Sequence, residues 1–345
     1  IKSATFSQVL AGPSGYYYDY FDAGLDGFHS LVHFGLLSWF ASRSDQGFDW
    51  NAYKDLLAWE LEAPRAIERT RFFSMHFLNI AAAGQEHNAE FVHPWVWTGR
   101  GDEPICVFRD TDNDKRAFFL AAKGGRAADN HGNMDAGSFI FELDGVRWAV
   151  DPGNQGYNKL EQIIGGELWN NAQESGRWAL LTKNNFGHST LTVNGEKYIA
   201  DARANLVKVD RRSNTPEVSF DMTKVFGNSI EKATRSFARI SGDRLRIRDD
   251  LVFSARTRTL TWQLITRADV QIDDGVIVLR EEEKKLEVHV PGDTPYRANV
   301  VSLSPPPLTY DKDIPGLKRI EIHFSREAFP GDRGQIMVYL TNGKK

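Results

Sequence analysis

Three polar side chains occupy alternate positions just before a predicted β-strand: His131, Asn133 and Asp135. An imidazole titrates nearer to neutral pH than other side chains do, so His131 is a candidate general acid or base. A single histidine in a loop is also commonly structural. The residues that follow, "SFIFELDGVRWAVD", predict a hairpin whose returning strand ends on another carboxylate, Asp151. The sequence thus predicts a polar cluster at the open end of a hairpin.

The turn of this hairpin is predicted at Asp144-Gly145, a strong two-residue turn signal. Such a turn pairs residues across the hairpin as follows: Leu143 with Val146, Glu142 with Arg147, Phe141 with Trp148, and Phe139 with Val150. The apolar pairs share one face, and the opposite charges on the other face support the register. The same register brings Asp151 next to the segment that contains His131.

A second turn signal, Asn194-Gly195, follows the predicted strand "STLTV". It predicts another hairpin, with His188 at the open end and near Asp201. Both hairpins are therefore expected to end in polar groups that suit metal binding or proton transfer.

His188, Asp151 and Asn133 are candidate ligands of a divalent metal ion. An imidazole and a carboxylate suit zinc, whereas an amide oxygen suits a harder ion. The alternative is that Asp151 only caps the turn that begins at Pro152, and that His188 is a hydrogen-bonded residue at a strand end. The spacing by itself leaves both interpretations open.

A tyrosine-rich stretch, "GYYYDYFDAG", lies near the start of the chain at residues 15–24. Tyr17 and Tyr20 are three positions apart, so they share a face if a helix begins here. A tyrosine beside a cationic group can donate or accept a proton, although its ordinary pKa is about 10. Clusters of tyrosines also pack the entries of helices without any role in chemistry.

The elements that must position these side chains change type along the chain. Apolar residues first recur at intervals of three and four, as one face of a buried helix requires: Leu25, Phe28, Val32, Leu36 and Trp39. Further helices are predicted over Trp50–Leu61 and Arg65–Ala82, and from about Phe91 the period becomes two, which indicates strands. The predicted fold class is α+β multidomain, with a helical segment at 1–82 and a large antiparallel multi-sheet β-sandwich at 83–345.

The composition limits the classes of function. The chain has 345 residues and a net charge of −4, which argues against bulk attraction to nucleic acid or anionic lipid. Its one cysteine, Cys106, excludes intrachain disulfides and thiolate zinc clusters. No apolar run is long enough for a membrane span, and no phosphate loop or dinucleotide fingerprint is present. The chain opens with Ile1 and without a signal peptide, so an internal fragment of a longer protein is expected.

The motifs together resemble the heparinase II/III-like polysaccharide lyases. The resemblance is carried by "NHGNMDAGSF", "GVRWAVDPG", "SGRWALL" followed by "FGHSTLTVNG", and "GYYYDYFDAG". It covers most of the chain and is strongest from about Arg109 to Asn194. In this family an (α/α) toroid precedes a multi-sheet β-sandwich, and the active cleft lies between them. The resemblance implies that residues 1–82 are the end of such a toroid.

The resemblance also implies roles for individual residues. His131 matches the catalytic histidine, and Tyr17 matches the toroid tyrosine that acts as general acid or also as base, so these two residues would divide the acid and base roles. Tyr20 is the companion of Tyr17 in substrate binding. Arg177 and Trp178 would hold the anionic sugar by guanidinium contacts and ring stacking. The alternative for this last pair is a core tryptophan beside an arginine whose stem is buried.

For the metal, the resemblance implies one structural zinc or another divalent ion with Asp151 and His188 as ligands. Asn133 stands where many members of the family have a third ligand, a histidine. This departure leaves three outcomes open: a weakened site, an empty site, or a site adapted to a different ion. Asp135 is expected to orient the loop rather than to bind metal.

The predicted function is a polysaccharide lyase that cleaves a uronic-acid-containing acidic polysaccharide, of the heparin or heparan sulfate type, by β-elimination. Alternatives are a lyase for alginate or ulvan, a non-catalytic carbohydrate-binding relative, and an inverting hydrolase that uses Asp135 and Asp151. The expected partner is the acidic polysaccharide, with no nucleic acid and no membrane span. The toroids of the family are longer than the helical segment here, so a homodimer or a missing N-terminal toroid segment is expected. The family implies a periplasmic or secreted protein.

Overall fold

The computed structural model describes residues 6–25 and 92–342 except 112, 113, 115 and 274, together with single residues at 39, 58, 62, 75, 78 and 81. A short helix, α1, covers Phe6–Leu10. The six single residues are helical, in agreement with the predicted helical N-terminal part. The other residues of the predicted helices, and the predicted domain boundary at residue 82, lie outside the described residues.

Strands of the described part form three antiparallel sheets, which confirms the predicted multi-sheet β fold. The first sheet contains, in spatial order, β1 (Val96–Gly99), β2 (Ile105–Arg109), β3 (Phe119–Lys123), β5 (Phe139–Leu143) and β6 (Val146–Ala149). The second contains β13 (Asp269–Asp273), β14 (Val276–Glu281), β15 (Lys284–His289), β18 (Arg333–Thr341), β11 (Arg244–Phe253), β10 (Ile230–Ser241), β9 (Glu217–Asp221), β8 (Arg203–Asp210) and β4 (Gly125–Arg126). The third contains β16 (Arg297–Ser302), β17 (Lys318–Ser325), β12 (Thr259–Thr266) and β7 (Leu191–Val193).

Helical turns connect these sheets. The α-helix α2 covers Tyr157–Ile164. Short 3₁₀ helices follow at Gly165–Trp169, Gly176–Ala179, Asn185–Gly187, Thr223–Ser229 and Arg326–Ala328. Within the ranges that the structure describes, no helix is both long and apolar enough to cross a membrane.

The apolar core lies between the sheets. Large side chains that are almost completely buried fill it, among them Trp148, Trp178, Trp262 and Phe237. Burying each such ring stabilises the fold by about 2–3 kcal/mol through the hydrophobic effect. A smaller cluster joins the N-terminal segment to the other face of the first sheet, where Leu10 and Tyr18 pack against β2, β3 and β5.

The Asp144-Gly145 hairpin forms as predicted near its turn. Leu143 pairs with Val146, and Glu142 pairs with Arg147, as the turn signal requires. The prediction that Phe141 pairs with Trp148 is wrong, because a bulge beside Glu142 shifts the partner to Ala149. Trp148 is the extra residue of the bulge. Its ring is buried in the core, and its indole N–H donates a hydrogen bond to the Leu143 carbonyl at 3.0 Å.

Beyond Ala149 the returning strand leaves the hairpin. The backbone N–H of Val150 donates to the carbonyl of Ile265 at 3.0 Å, so the predicted pair of Phe139 with Val150 is also wrong. Strand β6 thereby turns from the first sheet towards the third. Asp151 follows directly, at the junction of the two sheets.

The predicted hairpin at Asn194-Gly195 is wrong, although its turn is present. Asn194 adopts the left-handed backbone that the turn needs, with φ at 55°. Strand β7, however, pairs with β12 rather than with the residues after the turn. His188 contacts Asp151, whereas Asp201 forms an ion pair with Arg126, so the predicted proximity of His188 and Asp201 is wrong too.

Candidate active site

Asp22 connects the predicted catalytic histidine to two further side chains. Its carboxylate accepts hydrogen bonds from His131 Nδ1 and from the Tyr157 hydroxyl. It also accepts one from Lys183 Nζ at 3.1 Å. Asp22 belongs to the N-terminal segment, His131 to the loop before β5, Tyr157 to the start of α2, and Lys183 to the loop after a 3₁₀ helix. We call these four residues the Asp22 cluster.

His131 is held at the surface of this cluster. Its side chain is 59% exposed, and its backbone is left-handed with φ at 63°. The ring stacks on Tyr157, with ring centroids 6.4 Å apart and an interplanar angle of 27°. An ionised Asp22 can only accept a hydrogen bond, so Nδ1 of the neutral ring donates to it. The other ring nitrogen, Nε2, then has the lone pair that can accept a proton. The arrangement suits proton transfer at an exposed nitrogen.

The charges of the cluster are fixed by its hydrogen bonds. Partial burial alone would raise the pKa of Asp22, but the hydrogen bonds from Tyr157 and Lys183 outweigh it, and the pKa lies below its ordinary value. Burial, followed by the hydrogen bond to Asp22, raises the pKa of Tyr157. Burial lowers the pKa of Lys183, against the attraction of Asp22. At neutral pH Asp22 is therefore ionised and Tyr157 carries its proton.

The tyrosine-rich segment is extended rather than helical, with Tyr17 bridged to Ala11, so Tyr17 and Tyr20 do not share a helix face. Tyr17 is half-buried against the apolar cluster under the N-terminal segment, and burial raises its pKa. The ring of Tyr20 packs at a tilt against that of Tyr18, with centroids 5.1 Å apart, and burial raises the pKa of Tyr20 to about 12. The ring beside His131 is that of Tyr157. The roles of Tyr17 and Tyr20 stay predictions.

Arg177 and Trp178 are buried, with 3% and 0% of their surfaces exposed. The Arg177 guanidinium donates to the carbonyl of Gly132 at 2.9 Å, and the Trp178 indole N–H donates to the carbonyl of Ala172 at 2.8 Å. Such burial does not agree with the predicted stacking on a sugar and favours the alternative of a core tryptophan. Arg177 instead fixes the loop residue that follows His131.

The predicted metal ligands are brought together in part. His188 Nδ1 lies 2.9 Å from Asp151 Oδ2, and both residues are buried. Asn133 is buried beside the N-terminal segment, where its amide donates to the Phe21 carbonyl at 3.5 Å. Within the described residues, His188 Nε2 and Asn133 Oδ1 are buried without a hydrogen-bond partner. These two atoms have lone pairs with which they could bind a cation.

The donor set is smaller than a structural zinc site needs. Such sites use four ligands, mostly thiolates and imidazoles. The part of the chain that the structure describes holds no group of three His, Cys, Asp or Glu side chains placed to bind a metal ion. The Asp151–His188 contact has the form of a carboxylate that orients an imidazole. Metal binding stays a prediction.

Asp135 is committed to a buried ion pair. Its carboxylate lies 2.5 Å from Lys123 Nζ, and neither side chain is exposed. Lys123 Nζ also lies 3.4 Å from Glu103, whose pKa burial raises to about 7 against the attraction of Lys123. Because Asp135 is fully buried and Asp151 is paired with His188, this pair of carboxylates is poorly placed for the hydrolase alternative.

Asp22, Tyr157 and Lys183 were not predicted as site residues. Asp22 lies inside the tyrosine-rich motif, and Tyr157 follows shortly after "DPGNQG", so both stand in conspicuous stretches. Nothing in their positions along the chain indicates, however, that Tyr157 and Lys183 contact the carboxylate of Asp22. Asp22 could have been identified from the sequence as a carboxylate within one of the motifs that carry the family resemblance.

The chain is similar to known proteins in sequence and in fold. The family described as heparinase II/III-like, C-terminal, matches residues 107–305. No curated protein matches the chain significantly. The fold is similar to heparan sulfate lyase HepC from Pedobacter heparinus, with a TM-score of 0.61 and 14% identity over 100% of this chain and 46% of that one. It is also similar to heparinase III, with a TM-score of 0.55 and 13% identity over 99% of this chain and 56% of that one.

The family match and the two structural similarities indicate the same family. The chain spans about half the length of the two lyases, and at these identities the structural likeness shows the fold alone. The family match covers more than half of the chain and contains His131, Asp151 and His188. The chain thus belongs to the heparinase II/III-like family, of which it carries the C-terminal β domain.

Proposed function

We propose that this protein is a lyase that cleaves a uronic-acid-containing acidic polysaccharide of the heparan sulfate type by β-elimination. The observation that carries the proposal is an exposed His131, held through Nδ1 by an ionised Asp22. The substrate class is supported by the similarity in fold to heparan sulfate lyase HepC and to heparinase III. We also propose a secreted or periplasmic location, which cell fractionation with an antibody would test.

The chemistry requires two proton transfers. A base removes the C5 proton of the uronic acid, the C4–O4 bond breaks as the C4–C5 double bond forms, and an acid protonates the departing O4. His131 Nε2 accepts the C5 proton in this proposal, which is supported by the engagement of the other ring nitrogen by Asp22. A tyrosine phenol supplies the proton to O4. The raised pKa values of Tyr17 and Tyr157 mean that both phenols carry their protons at neutral pH.

Two tyrosines compete for the role of the acid. The family resemblance assigns Tyr17, whereas Tyr157 is the ring that stacks on His131. Replacement of the acid by phenylalanine removes the proton donor but keeps the ring, so kcat should fall by about 10²-fold or more. Tyr17→Phe and Tyr157→Phe are therefore matched variants, and the one with the larger loss of kcat identifies the acid.

The assay follows the ultraviolet absorbance of the unsaturated product. Purified protein is incubated with heparan sulfate, alginate and ulvan, and we expect product from heparan sulfate. New reducing ends without the absorbance would indicate a hydrolase and contradict the lyase. Full activity in both tyrosine variants would remove the phenol from the mechanism.

For the metal, we propose that Asp151, His188 and Asn133 form a weak site for one divalent cation. The amide of Asn133 is a poorer zinc ligand than the imidazole common at this position in the family. Asn133→His should therefore raise the affinity for zinc by about tenfold or more. Competition with a chromophoric chelator measures this affinity, and Asp201→His on the surface is the control. Equal affinity in the wild type and in Asn133→His would contradict the proposed site.

A further inference from the structure

A groove of about 700 Å³ crosses the second sheet on the face opposite the core. Its floor consists of small hydroxyl side chains, because Ser219 pairs with Ser236 across β9 and β10, and their hydroxyls lie 2.9 Å apart. Next to them, Ser236 pairs with Arg248 on β11. Short side chains between long ones make the depression, and its volume lies within the range of ligand pockets.

Charged side chains line this groove on several strands: Lys208, Glu217, Lys232, Arg248, Asp250 and Arg333. The carboxylates are already neutralised. Glu217 accepts from Lys208 at 2.8 Å, and Arg248 donates to Asp250 at 2.8 Å. Within the described residues, the exposed side chains of Lys232 and Arg333 form no hydrogen bond or ion pair. The groove therefore presents uncompensated positive charge.

A second depression extends the groove over the edge of the sheet. It has a volume of about 330 Å³, shares Val207 and Lys208 with the first, and adds the exposed Arg100. From β18 to β8 the track crosses four interstrand spacings, which amounts to about 19 Å. A long, open track with spaced cations suits an extended polymer better than a compact ligand. We call the two depressions together the cationic groove.

The chemistry of the lining indicates the class of polymer. Guanidinium and ammonium groups bind carboxylates and sulfates, and the partly exposed Thr234 adds a hydroxyl that can exchange hydrogen bonds with a sugar. The described residues that line the groove include no aromatic ring, which single-stranded nucleic acids use for base stacking. An acidic polysaccharide, in which charged groups alternate with neutral hydroxyls, matches the lining of the groove.

We propose that the cationic groove is a second polysaccharide-binding site, separate from the Asp22 cluster, that holds a remote part of an acidic polysaccharide chain. None of the residues that line it belongs to the Asp22 cluster. The inference rests on the proposed function in one respect: the ligand of the groove is the polymer that the His131 site cleaves. Holding a distant stretch of the chain raises the effective concentration of the remainder near the protein.

The test compares two double variants. Lys232→Ala with Arg333→Ala removes the unpaired cations of the groove, and Lys284→Ala with Arg297→Ala removes two exposed cations elsewhere. Calorimetric titration with heparan sulfate chains is done in a His131→Asn background, so that the polymer binds without being cleaved, whereas kcat is measured with His131 intact. Binding should be about tenfold weaker for the first double variant and unchanged for the second. The slope of log Kd against log salt should fall by about two, one for each lost ionic contact. The kcat on a tetrasaccharide should not change.

Several results would overturn the proposal. These are equal affinity in the wild type and the groove variant, an equal loss in the control variant, or binding of duplex DNA as tight as that of heparan sulfate. Absence of heparan sulfate binding by the wild type would overturn it as well. Because binding is measured without turnover, a wild type that binds the polymer but forms no unsaturated product would refute the lyase and leave the groove standing.

Discussion

Replacing His131 by asparagine should lower kcat for β-elimination by about 10³-fold, the usual effect of removing a general base. Asparagine is the matched replacement because it tolerates the left-handed backbone of this position, where φ is 63°. The side chain is exposed, so the fold should not change. Steady-state assay on heparan sulfate measures the loss, and an unchanged thermal midpoint shows that the fold is intact. A variant that retains full activity would exclude His131 as the base.

A smaller loss of kcat is expected when Asp22, the partner of His131, is replaced. Asp22→Asn keeps the size of the side chain but removes the charge that holds His131 Nδ1, so the imidazole loses its fixed orientation. We expect kcat to fall by about 10- to 100-fold with little change in KM, since Asp22 acts through His131 rather than on the sugar. Asp201→Asn, an exposed carboxylate that pairs with Arg126, is the matched control and should leave kcat unchanged. A change in KM alone would indicate a different role for Asp22.

The largest expected effect on stability concerns a buried ion pair beneath the loop that leads to β5. Arg235 donates to both oxygens of Asp249, each at 2.7 Å, and to the carbonyl of Gly137 at 3.1 Å. Both side chains are buried. Asp249→Ala leaves the guanidinium buried without its counter-charge, which should lower the free energy of unfolding by about 3–5 kcal/mol. This is a large part of the stability of an ordinary domain.

The neighbouring carboxylate is a matched control, because it lies on the opposite face of the same strand. Asp250 pairs with Arg248 at 2.8 Å, and both side chains are partly exposed. Asp250→Ala should therefore cost less than about 1 kcal/mol. Chemical denaturation of both variants measures the difference. Equal midpoints would show that burial of the Arg235–Asp249 pair does not determine its contribution.

Short-range features of the first hairpin were predictable. The Asp144-Gly145 turn determines the pairs nearest to it, and these pairs are confirmed. The register further out is shifted by a bulge at Trp148, which the turn does not specify. The Asn194-Gly195 signal likewise specifies a turn, but the partner of β7 is β12, far along the chain.

The amino-acid sequence by itself determined the change from helical to strand periodicity and the hairpin turn, and it singled out His131 as a candidate for proton transfer. These depend on residue type and on spacing over a few positions. Only the tertiary structure decided that Asp22, Tyr157 and Lys183 meet beside that histidine, and that Arg177 and Trp178 are buried. The physical reason is that contacts across more than a hundred residues depend on how sheets and loops pack, and burial depends on what covers a side chain. Neither is encoded in the local pattern.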